Sequence, residues 1–480
     1  MSKLNYRYLA RVVIEAETPL FVGSGESSLL KDALVQRDNH GFPMIQGTSL
    51  TGVLRHAIED ASGVDKTDWQ SFFGYQGNKK EGEGSQLKVS SAYLILQNGK
   101  IAEALKINED QKEFVSTFEN LPVRQHVRIT DKGVAKEHGL FDNEVVYKGT
   151  RFLFEMELKG DSSDSNKWNK LISELQSQKF RIGQGTRNGY GDLSVRTIEQ
   201  REFNLEDEKE FEEYLNLDPS LNADNSSLKK ENATDDKADY THYKLELKPD
   251  DFFIFSAGYG DDEVDNIPIT EQVITYDNND SIKKPDKNGL TLIPASSIKG
   301  ALSHRTAFHY NKLSNIYADK FDKDSFKVIA EIYTGTNNRA VSELFGAEEG
   351  VEETKAFEHH SVEQYAIGQR GKVIINDLFI DHAKNDKIFN HVAIDRFTGG
   401  AMDGALFSEK VSYFEDRNQT FDLNIYVEQA DYKDDIIKSF EEALKDICKG
   451  LLPLGGMTTK GHGMFTGKLI KNEKEIYSYE

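Results

Sequence analysis

Two glycine-rich segments, one in each half of the chain, bring a cation and an aromatic ring together. FRIGQGTRNGYGDLSV contains Arg187 and Tyr190, and LPLGGMTTKGHGMFTGKL contains Lys460 and His462. Glycine lets backbone N–H groups approach a phosphate closely, although a simple tight turn uses glycine as well. Neither segment has the strand-then-helix context of a dinucleotide fingerprint or the Lys-Ser/Thr of a P-loop, so we exclude NAD and ATP. The candidate phosphate-binding glycines are Gly183, Gly185, Gly189, Gly191, Gly455, Gly456, Gly461 and Gly463.

Basic residues also follow two turns made of small residues. Arg55 lies in PMIQGTSLTGVLRHA, and Lys299 and Arg305 lie in TLIPASSIKGALSHR. Each segment predicts a strand, a small-residue turn and a helix, which would place these cations near a helix start. A helix N-terminus with a cation beside it binds phosphate, and a solvated surface charge is the alternative.

Two further segments are near-copies of each other. HVRITDKGVAKEHGLF carries His126 and Arg128, and HVAIDRFTGGAMDGALF carries His391 and Arg396. Both are interrupted by glycine and lead into an alternating apolar strand. This pattern predicts an excursion between strands, with cations at its base, that suits an extended polyanion. A structural histidine with satisfied hydrogen bonds is the alternative for either imidazole.

These pairs belong to an internal repeat, because four matched segments recur in the same order in both halves. Each half is predicted to run strand, helix, strands, strand, helix, strand, which fits a β-α-β-β-α-β ferredoxin-like unit with an insert. We therefore predict an α+β protein with two such domains in tandem. The predicted domains are residues 1–200 and 241–480, and the acidic, weakly periodic segment 201–240 is predicted to be a linker.

Composition limits the possible function classes. The 480 residues carry a formal charge of −22 and a single cysteine, Cys448. The excess of acid argues against nucleic-acid binding over the whole surface, but a local basic groove remains possible. No apolar run is long enough to span a membrane, and one cysteine forms no internal disulfide, so we expect a cytoplasmic protein without membrane contact.

Taken together, the motifs resemble the RAMP superfamily of CRISPR effector proteins. The segments that carry the resemblance are GSGESSLLKDALVQRDNHGFPMIQGTSLTGVLR, HVRITDKGVAKEHGLFDNEVV, FRIGQGTRNGYG, IPASSIKGALSHR, LFGAEEG…GQRGKVIINDLFI and HVAIDRFTGGAMDGALFSEKV. They are most similar to the guide-RNA-binding backbone subunit of type III complexes, here as a tandem fusion most like a type III-D component. The resemblance implies a modified RNA-recognition fold in each half and a β-hairpin thumb at about Gln125–Phe141 and His391–Phe407.

The resemblance also implies cleavage of target RNA, once per backbone domain, by an aspartate in the loop after the first glycine turn. In LLKDALVQRD the matching residue is Asp32. In the second half one alignment selects Asp265 and another selects Thr270, with Glu271 next to it. The implied cofactor is Mg²⁺ or Mn²⁺, held by Asp32 and Asp265. Asp262 is a candidate metal helper.

The implied partners are the guide RNA (crRNA), the target RNA and other effector subunits, including further backbone subunits and the large polymerase/cyclase-like subunit. Three alternatives remain open from the residues: a guide-precursor processing endoribonuclease, a structural filament subunit that binds guide RNA without cutting, and an acidic scaffold that binds only protein.

Overall fold

A computed structural model describes residues 4–29, 31–59, 65–77, 82–103, 112–130, 133–177, 180–232, 240–276, 282–283, 289–320, 333–347, 368–381 and 385–479. Parts of three predicted features lie outside these residues. They are 233–239 of the predicted linker, 348–367 within the LFGAEEG…GQRGKVIINDLFI segment, and 131–132 in the first predicted thumb.

Alternating apolar and polar residues form the long strands of the first half. Phe152, Phe154, Met156 and Leu158 are every second residue of one strand. All four are buried, so one face of that strand covers the core. The strands of this half are β1 (Tyr6–Ala16), β2 (Tyr75–Gln76), β3 (Gly82–Glu83), β4 (Leu87–Val89), β5 (Tyr93–Leu94), β6 (Val123–Ile129), β7 (Ala135–Glu144), β8 (Arg151–Gly160), β9 (Leu193–Asn204) and β10 (Lys229–Asn232). The helices are α1 (Gly47–Glu59), α2 (Gln70–Phe73), α3 (Lys112–Glu119), α4 (Ser165–Leu175) and α5 (Glu208–Leu215).

The second half repeats the pattern. Its strands are β11 (Tyr240–Pro249), β12 (Thr270–Glu271), β13 (Thr275–Tyr276), β14 (Ile282–Lys283), β15 (Leu290–Ile293), β16 (Gly346–Ala347), β17 (Gln369–Arg370), β18 (Val373–Ile375), β19 (Leu378–Ile380), β20 (Asn385–Ile394), β21 (Ala401–Tyr413), β22 (Phe421–Glu428), β23 (Phe465–Lys471) and β24 (Lys474–Ser478). Its helices are α6 (Ala295–Leu313), α7 (Arg339–Phe345) and α8 (Asp434–Cys448). Short 3₁₀ segments span Lys66–Trp69, Ser162–Asp164, Ala318–Lys320, Gly335–Asn337 and Thr458–Lys460.

The two main sheets have the same strand order. The first runs β10-β9-β1-β8-β4, with β5 also paired to β8, and the second runs β18-β22-β11-β23-β24. The first long strand of each half is central: β1 lies between β9 and β8, and β11 lies between β23 and β22. All these pairs are antiparallel. Each half has its own large apolar core, and Cys448 is buried in the second. The prediction of a mixed α+β chain is confirmed.

A long antiparallel hairpin projects from each half. In the first hairpin, β6 pairs with β7 and His126 lies opposite Phe141. In the second hairpin, β20 pairs with β21 and His391 lies opposite Phe407. The two hairpins therefore share one register, and each contains a segment predicted as a thumb.

The segment 201–240 differs from the predicted linker. Its described part contains the end of β9, then α5, then β10, which pairs with β9. Phe203 and Leu228 are buried with Leu9, so this segment packs on the first sheet. Its low apolar periodicity reflects a short helix and an edge strand that bury only a few side chains. In the described part of the chain, no helix is long and apolar enough to cross a membrane.

Candidate functional site

The glycine loops are seated against the turn that follows the first strand of each half. Gly183 has φ +90°, and a Cβ there would lie 2.3 Å from the carbonyl oxygen of Phe21. Gly455 has φ +94°, and a Cβ there would lie 2.4 Å from the carbonyl oxygen of Ile254. Both positions thus require glycine because the chain approaches its own backbone, and this packing explains the loop motif without a phosphate.

Asp32 lies in an exposed loop that is fixed to the base of the first hairpin. Its carboxylate Oδ2 accepts the backbone N–H of Asp142 at 3.0 Å, and the Asp142 carboxylate accepts the backbone N–H of Asp32 at 2.7 Å. Nearby, the buried Glu144 accepts from Lys31 Nζ at 2.8 Å and from the Val35 N–H at 3.1 Å. These bonds place the Asp32 carboxylate beside β7 with its outer side open to solvent.

Asp265 occupies the same position in the second half. Its Oδ2 accepts the backbone N–H of Ser408 at 2.8 Å, and the carbonyl and hydroxyl oxygens of Ser408 accept the Asp265 N–H. Asp142 and Ser408 each follow the hairpin phenylalanine directly, so the two contacts are equivalent. Two backbone bridges show the same equivalence. Val35 pairs with Gly23 and Pro268 pairs with Ser256, and each of Val35 and Pro268 lies three residues after its aspartate.

Glu271 lies in a different environment. It is buried, and its Oε2 accepts Nε of Arg124 at 2.8 Å, while a second nitrogen of Arg124 bonds Asp377. Burial raises the pKa of Glu271, and Arg124 opposes that rise. Burial would lower the pKa of Arg124, but Asp377 and Glu271 together hold it well above its usual value. The structure therefore places Glu271 in a contact between the two halves, without access to solvent.

Both hairpin histidines contact residues of their own half. His126 Nε2 lies 2.6 Å from the Tyr190 hydroxyl, and the ring stacks on Phe141. Burial and the neighbouring Arg124 lower the pKa of His126 to about 4, so its imidazole is neutral at pH 7. His391 stacks on Phe407 and lies 2.7 Å from Glu409.

Four of the predicted RNA-binding cations are engaged in contacts within the protein. Arg55 pairs with Glu59 at 2.8 Å, and Arg305 pairs with Asp446 at 2.6 Å. Arg55 lies eight residues after the first residue of α1, so the expected place beside a helix start is wrong; α1 already begins at Gly47.

The other two cations contact the opposite half. Arg187 Nε donates to the carbonyl of Gly371 at 2.8 Å, and Lys299 Nζ donates to Asn188 at 3.2 Å. Burial and like charges lower the pKa of Arg187 to about 10, and burial with Arg187 lowers the pKa of Lys299 to about 8. The two pKa values fall because burial between the two halves removes water that would stabilise the charged form of each side chain.

Three predicted cations remain at exposed positions on or beside the hairpins: Arg128, Arg396 and Lys460, whose Nζ lies 4.1 Å from the centre of the Phe407 ring. The hairpins also expose an unusual number of large apolar side chains, and Phe397 at the second tip is fully exposed. The others include Val127, Ile129, Val134, Leu140, Phe141, Ile388, Val392, Ile394, Met402 and Leu406. Exposed apolar side chains on the two hairpins, with cations beside them, are typical of a surface that binds a partner.

Sequence reasoning missed Asp142, Glu409 and Asp377. Asp142 could have been found by extending the repeat one residue past GLF, where the second copy has Ser408. Glu409 is fully buried between His391 and His462, and Asp377 lies between two short apolar strands. Asp377 could not be found from spacing in the sequence, because its partner Arg124 lies in the other half of the chain.

The carboxylates beside the hairpins could hold a divalent ion only with further ligands from water or a substrate. Among the residues that the structure describes, no group of three or more His, Cys, Asp or Glu side chains could hold a metal. Mg²⁺ is nevertheless commonly held by one or two carboxylates, with water and substrate phosphates as further ligands. Asp32 and Asp142 fit that type in the first half, and Asp265 beside Ser408 supplies one carboxylate in the second.

Comparison with known proteins finds a curated protein and a solved structure that are similar to parts of this chain. A curated relative, the CRISPR system Cmr endoribonuclease Cmr4 of Pyrococcus furiosus, is 26% identical over 156 residues, which cover 30% of this chain and 52% of the relative. The chain thus spans about half the length of that relative. A chain in the cryo-EM structure of a type III-B Cmr-beta assembly in the apo state aligns with 17% identity and a TM-score of 0.31, covering 39% of this chain and 96% of the other.

The profile of the RAMP superfamily matches both halves, over residues 13–194 and 224–466. The two matched stretches contain both aspartate loops, both hairpins and nearly all of both glycine loops. The resemblance seen in the sequence is confirmed at the level of the family: the chain belongs to the RAMP superfamily.

Proposed function

We propose that the chain is a tandem backbone subunit of a type III CRISPR effector complex, which binds guide RNA and cleaves complementary target RNA at two positions. The observation that carries the proposal is the equivalence of Asp32 and Asp265. Each carboxylate accepts the backbone N–H of the residue that follows the hairpin phenylalanine. Membership of the RAMP superfamily and the similarity to an endoribonuclease support this reading.

The proposal includes two ferredoxin-like domains with a thumb in each. The matching strand order of the two sheets supports the domain assignment, and the two hairpins in one register support the thumbs. A type III-D component is proposed because two backbone units lie in one chain.

In the proposed reaction the substrate supplies its own nucleophile. The 2′-hydroxyl loses its proton to the Asp32 carboxylate, the 2′-oxygen bonds to the adjacent phosphorus, and the bond to the 5′-oxygen breaks. The leaving 5′-oxygen takes a proton from water, so the products are a 2′,3′-cyclic phosphate and a 5′-hydroxyl. Asp265 does the same in the second half. A bound Mg²⁺ or Mn²⁺ at these carboxylates would neutralise the charge that develops on phosphate.

The hairpins would hold the RNA duplex, with Arg128, Arg396 and Lys460 on the phosphates. Exposed apolar side chains on the hairpins would separate neighbouring bases, as apolar wedges do in other nucleic-acid complexes. Guide pairing would then select the sequence, while the protein contacts backbone and shape.

The test uses the assembled complex, a labelled complementary RNA and the variants Asp32→Asn and Asp265→Asn. We expect each variant to lose one cut by about 100-fold or more, with guide-RNA binding unchanged. Glu26→Gln, in the same exposed loop as Asp32, is the matched control and should keep both cuts.

Two further results would decide between the alternatives. Loss of the second cut in Glu271→Gln, but not in Asp265→Asn, would contradict the assignment of Asp265. Two unchanged cuts in the Asp32→Asn, Asp265→Asn double variant would contradict the assignment of both aspartates as catalytic residues.

A further inference from the structure

The two halves meet at a joint made by two faces of different charge. The donor face of the first half carries Arg124, Arg181 and Arg187. The acceptor face of the second half carries Glu271, Asp377 and Glu428, together with Asn376, which accepts from Arg181 at 2.8 Å. Arg187 lies 3.9 Å from Glu428. The joint is heterologous, because the contacting surfaces are different parts of the repeated unit.

The first half also has residues at the positions equivalent to this acceptor face. They can be identified because the backbone contacts repeat. The Ala295 N–H donates to Asp377, and the equivalent Gly47 N–H donates to Ser91. The Glu428 N–H donates to the Lys372 carbonyl, and the equivalent Lys159 N–H donates to the Gln86 carbonyl.

The equivalent face lacks the acids of the joint. Ser91 stands where Asp377 would be, and Lys159 stands where Glu428 would be. The bridge registers place Asp38 at the position of Glu271, but its Oδ1 is occupied by the N–H groups of His40 and Phe42 in a turn. An arginine face docked here would meet a hydroxyl, an ammonium and an engaged carboxylate.

The second half has a donor face at its own outer end, and this face lacks the arginines. The hairpin register places Phe389 at the position of Arg124. The seating of the glycine loops places Pro453 at the position of Arg181 and Thr459 at that of Arg187. No cation of the joint is therefore reproduced at these three positions.

We propose that this joint chemistry is used once, inside the chain, and that a second copy does not add head to tail. A copy docked in the same geometry would form none of the three ion pairs of the joint, and two bodies of charge −22 would repel each other.

The test measures self-association of the full chain by sedimentation velocity, so it does not depend on the proposed RNA cleavage. We expect a single 54.3 kDa species over a hundredfold range of concentration. A wild-type chain that forms concentration-dependent multimers would overturn the proposal.

A gain-of-function pair tests the stated cause. One variant carries Ser91→Asp and Lys159→Glu, and the other carries Phe389→Arg and Thr459→Arg. Each alone should stay a monomer, and an equimolar mixture should form a species of twice the mass. The matched control replaces the first variant with Ser91→Asn and Lys159→Gln, which should not associate.

Folding of each variant is checked by circular dichroism and thermal melting, and Thr459→Arg alone replaces the double variant if Phe389→Arg does not fold. If folded partners fail to associate at tens of micromolar, charge pairing does not drive the joint and the proposal is wrong.

Discussion

Arg124 lies on the first strand of a hairpin, but its guanidinium points into the other half of the chain. Its side chain is 4% exposed, and it bonds two carboxylates that are 4% and 0% exposed. The same guanidinium lies 5.3 Å from the centre of the Tyr190 ring, which in turn contacts His126. One residue thus connects the hairpin, the glycine loop and the second half.

Arg124→Ala should lower the free energy of unfolding by about 3–5 kcal/mol, because Glu271 and Asp377 would remain buried without a counter-charge. Urea unfolding at pH 7 measures this change. Arg128→Ala, four residues along the same strand and exposed, is the matched control and should change stability by less than about 0.5 kcal/mol. Equal losses in the two variants would contradict the role of the buried ion pairs.

His126 should make the chain less stable as the pH falls. Its pKa is about 4 in the folded protein, below the usual 6.5, so the unfolded chain binds more protons between these values. The contribution of His126 is present above pH 6.5 and is lost towards pH 4, with a slope of at most about 1.4 kcal/mol per pH unit. His126→Gln should flatten the urea midpoint between pH 6.5 and 4.5.

The exposed His138, on the other strand of the same hairpin, is the control for this measurement. His138→Gln should keep the wild-type pH profile. An unchanged profile in His126→Gln would show that another group causes the acid sensitivity.

At the scale of elements, the hairpins show how far the sequence could be read. The two similar strings of residues predicted an excursion between strands at the same place in each half, because glycine and apolar alternation are local signals. The hairpins and their approximate bounds came from the family resemblance. The same comparison of the two halves showed that the glycine loops recur at equivalent places. It could not predict that Arg187 and Lys299 serve a joint, because that depends on which faces of the two halves meet.

The second aspartate illustrates the same limit. Sequence alignment left Asp265 and Glu271 open, since two alignments of this loop select different residues. The hydrogen bond from Ser408 to Asp265 and the burial of Glu271 distinguish the two in space. The acidic segment 201–240 was predicted to be a linker because α5 and β10 bury too few residues to produce a periodic pattern.

Phe397 at the tip of the second hairpin should matter for target RNA and not for folding. It is fully exposed, so Phe397→Ser should change stability by less than about 0.5 kcal/mol. A ring that stacks on a base contributes about 1–3 kcal/mol, so target affinity of the guide-loaded complex should fall about 5- to 100-fold. Filter binding measures this, and Phe211→Ser, on α5, is the control. Unchanged affinity would exclude base stacking by this tip.

At the scale of the whole molecule, acidic residues outnumber basic ones. The chain carries 81 acidic and 59 basic residues, and three of its exposed cations, Arg128, Arg396 and Lys460, lie on or beside the hairpins. The composition alone argues against nucleic-acid binding over the whole surface. The proposed function would place a local exception at the two hairpins.

The ion pair between Arg124 and Glu271 links the loops that carry the two candidate aspartates. Arg124 belongs to the hairpin that holds Asp32 through Asp142, and Glu271 follows Asp265 by six residues in the second half. The two aspartates are therefore joined through folded protein as well as through the connecting chain. If both aspartates cut RNA as proposed, the folded contact between the halves, and not the length of the acidic segment, would set the distance between the two cuts.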